Sequence, residues 1–199
     1  MVLEHQRIPA ERESCRIVLE TERLVLRMPT LADVKAIASL ANDRRIAQNT
    51  SRLPHPYTVR DAETFIQFVE QQAHATNFAI TCGGNFMGTI GVMLGRGEFP
   101  EIGYWLGLPY WGQGYATEAA RAIIDYAFEE FDCTEIRAGA RVVNTGSRRV
   151  LEKCGFQWTN VQLLKVLSLG GSVPVDRFRL DRGVWTSLKN WKNARRTLS

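Results

Sequence analysis

The feature that most constrains this chain is a pair of glycines in segment 111–116 (WGQGYA), between a strand pattern and a helical pattern. The first turn of a helix has unpaired N–H groups and a partial positive charge. Glycines ahead of that turn let the backbone approach a ligand without a Cβ in the way. The segment therefore predicts a cradle for an anion such as a pyrophosphate. Alternatively, Gly112 and Gly114 only shape a turn from strand to helix.

Two other nucleotide-binding loops do not fit this segment. A P-loop would end in Gly-Lys-Ser or Gly-Lys-Thr, and neither follows the glycines here. The dinucleotide pattern GxGxxG would open an early β-α-β unit, whereas segment 111–116 lies past the middle of the chain. The loop is therefore predicted to be an anion cradle of another kind.

The composition is that of an ordinary globular domain. The chain has 199 residues, of which 45% are apolar and 23% charged, which suits one domain with short tails. No apolar run approaches the ~20 residues that span a bilayer. Residues 1–16 lack the apolar core of a signal peptide, so we expect a cytoplasmic protein. The net charge is +4 without a basic stripe, which argues against direct nucleic-acid binding.

The cysteines and histidines predict no metal site. The cysteines have no CxxC spacing and no histidine partner at metal-ligand spacing. We expect them to be reduced thiols of a cytosolic protein. The residues concerned are Cys15, Cys82, Cys133, Cys154, His5, His55 and His74.

The apolar periodicity predicts alternating strands and helices. Strands are expected at 21–27, 78–81, 86–94, 101–106, 135–142, 156–167 and 173–180, with turns at 83–85 and 95–100. Helices are expected to begin at capping boxes over 30–33 and 58–61, the first running to about residue 46, and again over 114–131 and 145–153. Hairpins followed by a β-α-β crossover predict an α/β (α+β) domain of three layers, on a mixed sheet of about six to seven strands.

Several blocks of the sequence, in this order, resemble the GNAT superfamily of N-acetyltransferases. The segment 21–27 (TERLVLR) is similar to the family's opening strand, and 101–106 (EIGYWL) to its bulged central strand. The loop 109–119 (PYWGQGYATEA) resembles the pattern Arg/Gln-x-x-Gly-x-Gly/Ala, with Trp111 in the first position. The segment 144–156 (NTGSRRVLEKCGF) resembles Asn-x-x-Ser followed by Glu-Lys-x-Gly-Phe. The branch that looks most similar acetylates ribosomal-protein N-termini (the Rim type).

This resemblance covers residues 20–185 or so and implies a division of the chain. We expect an N-terminal extension over residues 1–20, a GNAT-type domain over 21–185 and a basic tail over 186–199. The family's bulge would separate the central strand from its parallel neighbour and open a slot.

The resemblance also implies acetyl-CoA as cosubstrate, no metal, and direct attack by a primary amine without an acyl-enzyme. A backbone N–H near Trp105 or Leu106 would stabilise the thioester oxygen. Arg148 or Arg149 would meet a cofactor phosphate, or lie on a solvated helix face. The residues expected to hold the cofactor are Tyr104, Trp105, Leu106, Trp111, Gly112, Gln113, Gly114, Tyr115, Ala116 and Asn144.

The proton-transfer groups are Glu101 and Ser147. Glu101 is the candidate base, acting through water; the alternative is a surface carboxylate at a strand edge. Leu151 occupies the position where many family members have a tyrosine acid. Ser147 would instead relay a proton to the thiolate, or is simply a hydroxyl in the first turn of a helix. Tyr104 is a further candidate.

The Rim-like blocks favour a protein N-terminal α-amine as acceptor. An α-amine has a reference pKa of about 7.7–8.0 against about 10.4 for lysine, so it needs little help from a base. Polyamines, aminoglycosides and amino acids stay open, although segment 41–57 holds Asp43 as its only acid beside three arginines. The acceptor site is expected between the first two helices and the last hairpin, among Arg44, Arg45, His55, Tyr57 and Asp176.

A non-catalytic acyl-CoA sensor is the alternative from another functional class, because the usual tyrosine acid is missing. A sensor would bind the cofactor and turn over no amine. The family likeness also suggests a homodimer. We expect no membrane partner.

Overall fold

A single mixed sheet of eight strands runs through the residues that the computed structural model describes, which are 17–72, 76–93 and 99–196. The strand order is β1-β2-β3-β4-β5-β6-β8-β7. Neighbours are antiparallel except β5 and β6, which are parallel. The strands are β1 (Val18–Glu20), β2 (Val25–Arg27), β3 (Asn77–Cys82), β4 (Asn85–Met93), β5 (Glu101–Leu106), β6 (Glu135–Arg141), β7 (Gln157–Val166) and β8 (Gly171–Asp181).

Helices cover both faces of this sheet and make the predicted three layers. Helices α1 and α3 bury their apolar sides against Ala79, Phe86 and Trp105 on one face. Helices α4, α5 and α6 contribute to the larger core on the other face. The helices are α1 (Val34–Ala41), α2 (Arg44–Ala47), α3 (Val59–Glu70), α4 (Tyr115–Glu130), α5 (Thr145–Lys153) and α6 (Arg182–Arg196).

Both predicted capping boxes are confirmed. The carboxylate of Asp33 accepts a hydrogen bond from the Thr30 N–H at 2.8 Å, where a short 3₁₀ turn leads into α1. At the start of α3 the Asp61 carboxylate accepts from the Thr58 N–H at 2.8 Å, and the Thr58 hydroxyl accepts from the Asp61 N–H. These bonds pair N–H groups that a helix start leaves open, which is why both helices begin where the sequence indicates.

The first predicted helix was wrong in its extent. It ends at Ala41, and a separate short helix, α2, begins at Arg44. The carboxylate of Asp43 accepts from the Arg45 N–H at 2.8 Å and so acts as the N-cap of α2. Asp and Asn side chains compete for backbone hydrogen bonds and favour caps over helix interiors. The Asn42-Asp43 pair therefore breaks the helix.

The sheet has one strand more than the six to seven expected, and the extra strand is β1. It pairs with β2 from Val18 to Glu20, inside the segment predicted as an extension. Helix α6 likewise crosses the predicted tail boundary at residue 186.

Residues 1–16, 94–98 and 197–199 lie outside the described residues, and with them Cys15, His5 and most of the predicted turn at 95–100. His74 lies outside them too.

The central strands separate as predicted, but without the predicted bulge. Strands β5 and β6 pair only at Glu101–Arg137 and Ile102–Ala138. Strand β5 keeps a continuous register with β4 through to Leu106, so no bulge interrupts that pairing. Beyond Ile102 a slot therefore opens between the two parallel strands.

None of the helices among the described residues is long and apolar enough to cross a bilayer.

Candidate active site

The glycine loop leads from β5 into α4 and has the conformation that its sequence predicts. Gly112 has a φ of 75° and Gly114, the N-cap of α4, has a φ of 83°. This left-handed region costs an L-residue about 1–2 kcal/mol, so both positions favour glycine. A Cβ at Gly112 would meet nothing within 4 Å, so the space in front of the loop is open.

The start of α4 presents unpaired donors to that space. The first bond of the helix runs from the Glu118 N–H to the Gly114 carbonyl at 3.1 Å. The N–H groups of Tyr115, Ala116 and Thr117 therefore have no partner within the helix. Open space, left-handed glycines and orphan N–H groups together fit a pyrophosphate.

Two side chains of the loop hold the loop itself. The indole N–H of Trp111 donates to the Leu106 carbonyl at 2.7 Å, at the end of β5. The side-chain amide of Gln113 donates to the Pro109 carbonyl at 2.7 Å. The side chains of Trp111 and Gln113 thus fix the loop, which leaves the backbone as the ligand-facing part.

The slot beside β5 begins where its pairing with β6 stops. Tyr104, Trp105 and Leu106 have no partner on β6, so this edge of β5 is open to an extended, peptide-like chain. Across the slot, the Asn144 carboxamide oxygen caps α5 by accepting from the Ser147 N–H at 3.1 Å. The amide nitrogen of Asn144 keeps its two donors for another partner.

Tyr104 and Ser147 meet at this slot. Their hydroxyl oxygens are 3.0 Å apart, and either can donate. Burial raises the pKa of Tyr104 to about 12, although the bond with Ser147 acts in the opposite direction. Tyr104 is therefore protonated at neutral pH and is able to give a proton to a nearby anion.

Glu101 lies on the opposite face of β5. Side chains alternate along a strand, and Tyr104 packs with the α4 core whereas Trp105 packs with the α1–α3 core. Glu101 and Trp105 are an even number of residues apart, so their side chains lie on the same face of β5. The two carboxylate oxygens of Glu101 accept from the guanidinium of Arg177 at 2.9 and 2.8 Å.

Arginines line the same face of the sheet across the slot. The guanidinium of Arg177 lies over Gly139, since a Cβ there would be 2.7 Å from its Nη1. Arg141 Nη1 donates to the Gln48 carbonyl at 2.9 Å, just after α2. Its Nε is buried without a hydrogen-bond partner, and among the described residues Arg141 makes no ion pair. We call this surface, around Glu101, Arg141 and Arg177, the acceptor face.

Of the predicted acceptor residues, Asp176 lies on the face of the sheet opposite to Glu101. Asp176 is buried on the α4–α5 face, where it accepts from Trp158 and pairs with Arg148. Arg148 is thereby engaged, and Arg149 stays exposed.

The remaining acceptor candidates lie nearer α1–α3. Tyr57 is buried in the α1–α3 core. Arg44, Arg45 and His55 are exposed, and Arg45 pairs with Asp43.

Sequence reasoning missed Arg177 and Arg141. Both lie on strands whose pattern indicates only alternation, and their partners are far along the chain. Only the mixed topology of the sheet brings β8 and β6 to Glu101. In the part of the chain that the structure describes, no group of three His, Cys, Asp or Glu side chains could hold a metal ion.

Comparison with known proteins identifies the family of this chain. Residues 23–157 match the family described as the acetyltransferase (GNAT) domain. The uncharacterized N-acetyltransferase p20 of Bacillus licheniformis is 32% identical over 149 residues, which is 70% of this chain and 82% of that protein.

Solved structures share the fold. A GNAT-family acetyltransferase from Bacillus anthracis superposes with a TM-score of 0.72 at 25% identity, over 83% of this chain and 98% of that one. RimL, a ribosomal L7/L12 alpha-N-protein acetyltransferase in complex with coenzyme A, has a TM-score of 0.70 at 19% identity, over 83% and 98% of the two chains. The chain therefore belongs to the GNAT family, and it is an N-acetyltransferase that uses acetyl-CoA.

Proposed function

We propose that this enzyme acetylates the N-terminal α-amine of a protein by direct attack of the amine on acetyl-CoA. The observation that carries the proposal is the bidentate ion pair between Glu101 and Arg177. The pair engages both carboxylate oxygens and so fixes the position of Glu101 on the acceptor face. An α-amine has a reference pKa of about 7.7–8.0 against about 10.4 for a lysine, so more of it is already neutral near pH 7 and it needs less help from a base held in this way.

The cofactor would be held mainly by backbone groups. The N–H groups from Gly112 to Ala116 would bind the pyrophosphate. The open edge at Tyr104–Leu106 would pair with the pantetheine arm as with an added strand, and the Asn144 amide would donate to that arm from the other side. When bound, acetyl-CoA supplies an acetyl thioester, the electrophile of the reaction. A backbone N–H near Trp105 or Leu106 would stabilise negative charge on the thioester oxygen.

The proton-transfer groups would act from opposite faces of β5. Glu101 would accept a proton from the amine on the acceptor face, through water. Tyr104, hydrogen-bonded to Ser147 at 3.0 Å, would give a proton to the leaving thiolate on the α4–α5 face. The attacking amine must lose a proton and the leaving thiolate must gain one. With Glu101 and Tyr104 on opposite faces of β5, both proton transfers can occur in one complex, which suits direct transfer.

The test of this function is an acceptor panel. Peptides with a free α-amine would be compared with the same peptides blocked at the N-terminus but carrying lysine, and with a polyamine, an aminoglycoside and free amino acids. We expect the highest kcat/KM with free peptide N-termini. A preference for the blocked, lysine-bearing peptides or for a small amine would contradict the proposal. Binding of acetyl-CoA without turnover of any amine would identify a sensor instead.

The arginines of the acceptor face predict which peptides react best. Arg141 makes no ion pair among the described residues, so an acidic side chain next to the acceptor amine would give it one. We expect a peptide with Asp in its second position to have a KM about threefold to tenfold lower than its Asn counterpart. Arg141→Gln should remove the difference.

Arg121→Gln is the matched control for this prediction, because Arg121 is an exposed arginine on α4, on the other side of the sheet. This variant should keep the preference for the acidic peptide. An equal KM for both peptides with the wild-type enzyme would refute the role given to Arg141.

We also propose that the enzyme forms a homodimer through strand β7. Strand β7 is an edge of the sheet, and Trp158, Val161 and Leu163 expose 54%, 49% and 72% of their surface there. An exposed apolar edge is a template for pairing with another chain. Lys165 is the only charged residue of Gln157–Val166, so a two-fold antiparallel pair would keep the two lysines apart.

Leu163→Lys is expected to convert the dimer into a monomer, because it places two charges in the shared edge. Light scattering after gel filtration measures the change. Leu31→Lys is the control, since Leu31 is also exposed, at 63%, but lies ahead of α1. A monomeric wild-type protein, or a dimer that survives Leu163→Lys, would rule out this interface.

A further inference from the structure

The segment before β2 lies against the start of α4, although the two are about a hundred residues apart in sequence. The carboxylate of Glu118, in the first turn of α4, is the meeting point. It accepts from the Thr21 hydroxyl at 2.6 Å, from the Arg23 N–H at 2.8 Å and from the Arg23 Nε at 2.7 Å. Arg23 and Glu118 also form an ion pair of 2.7 Å.

The guanidinium of Arg23 continues from Glu118 onto the glycine loop. Its Nη1 donates to the Gln113 carbonyl at 3.1 Å. Its Nη2 would be 3.4 Å from a Cβ at Gly114, and its central carbon lies 4.4 Å from the centre of the Tyr115 ring. One side chain thus touches three consecutive residues of the loop.

The contact with Gln113 fixes the orientation of a peptide group. A trans peptide is planar, so the carbonyl of one residue and the N–H of the next point in opposite directions. When Arg23 holds the Gln113 carbonyl on its own side, the Gly114 N–H must point to the other side. Glycine with a positive φ has many backbone orientations open to it, so without this bond the peptide group would turn more freely.

We propose that Arg23 is a positioning residue for the cofactor, which directs the Gly114 N–H at the pyrophosphate by holding the Gln113 carbonyl. Glu118 keeps the guanidinium of Arg23 in place. This inference rests on the part of the proposed function that places the pyrophosphate at the loop, and it does not depend on which amine is acetylated. A merely structural role would be to fasten the start of β2 to α4.

Truncated donors separate the two roles. Acetyl-pantetheine has the thioester and the pantetheine arm but no pyrophosphate. We expect Arg23→Gln to raise the KM for acetyl-CoA about tenfold, with kcat unchanged within about twofold. With acetyl-pantetheine, kcat/KM should be the same for Arg23→Gln and the wild type. Arg23→Lys should fall between them, because a lysine keeps the charge but cannot bond Glu118 and Gln113 together.

The controls make a negative result decisive. Arg121→Gln removes an exposed arginine of α4, the helix that holds Glu118, and should leave kcat/KM unchanged with both donors. Calorimetric titration with coenzyme A alone tests the same point without any acceptor, so it stands even if no amine is turned over; the Kd should rise about tenfold in Arg23→Gln. Equal losses with both donors would show a structural tie, and an unchanged Kd for coenzyme A would overturn the inference. If Arg23→Gln does not fold, Arg23→Lys supplies the same comparison.

Discussion

Gly114→Trp is expected to abolish binding of acetyl-CoA, with an affinity loss of at least about 100-fold, or about 2.7 kcal/mol. Gly114 has a φ of 83° at the N-cap of α4, and any side chain there is strained in this conformation. A Cβ there would lie 3.4 Å from the Arg23 guanidinium, so an indole would also displace the side chain that holds the Gln113 carbonyl. Calorimetric titration with acetyl-CoA measures the loss.

The matched control is Gly170→Trp. Gly170 also has a positive φ, of 63°, and a Cβ there would meet nothing within 4 Å. It lies between β7 and β8, so the substitution brings the same kind of backbone strain without touching the loop. We expect Gly170→Trp to bind acetyl-CoA like the wild type. Equal losses in the two variants would mean that strain alone explains the effect, and wild-type affinity in Gly114→Trp would remove the cradle from the account.

Tyr104→Phe is expected to lower kcat about 10²-fold, with little change in the KM for acetyl-CoA. This loss of kcat is at the low end of the range for removal of a general acid, because a thiolate is a good leaving group. Burial raises the pKa of Tyr104 to about 12, so in the wild type the acid stays protonated across the neutral range. The wild-type rate should therefore rise with pH as the α-amine, with a reference pKa of about 7.7–8.0, loses its proton.

Initial rates from pH 6 to 9 or so check this prediction. Tyr110→Phe is the control, because Tyr110 also lies near the loop, whereas the tyrosine that shares a hydrogen bond with Ser147 is Tyr104. Ser147→Ala should lower kcat less than Tyr104→Phe does, since Tyr104 would still give its proton. A wild-type kcat in Tyr104→Phe would assign the proton to another group.

The parts of the fold that depend on local pattern could be predicted from the sequence. Strand β5 (Glu101–Leu106) has the predicted bounds, and α4 (Tyr115–Glu130) differs from its predicted bounds by one residue at each end. Alternation and helical spacing act over neighbouring residues, and so do capping boxes. The requirement for glycine at 112 and 114 is also local, because it depends only on the conformation of one backbone turn.

The parts that depend on distant residues could not be predicted. Strand β1 has three residues, too few for its pattern to be distinguished from an extension. The pairs Glu101–Arg177 and Arg23–Glu118 join residues 76 and 95 positions apart, and no local rule connects them. A bulge in β5 was expected to separate it from β6. In the structure β5 pairs with β4 without a bulge, and its pairing with β6 ends after Ile102.

Initial rates of peptide Nα-acetylation, measured over a matrix of acetyl-CoA and peptide concentrations, test whether the amine attacks acetyl-CoA directly. Direct attack requires both substrates to be bound together. We expect acetylated peptide and double-reciprocal lines that intersect. Parallel lines with a burst of acetylated enzyme would show a covalent intermediate and contradict the account. So would the absence of any acetylated peptide while small amines are turned over.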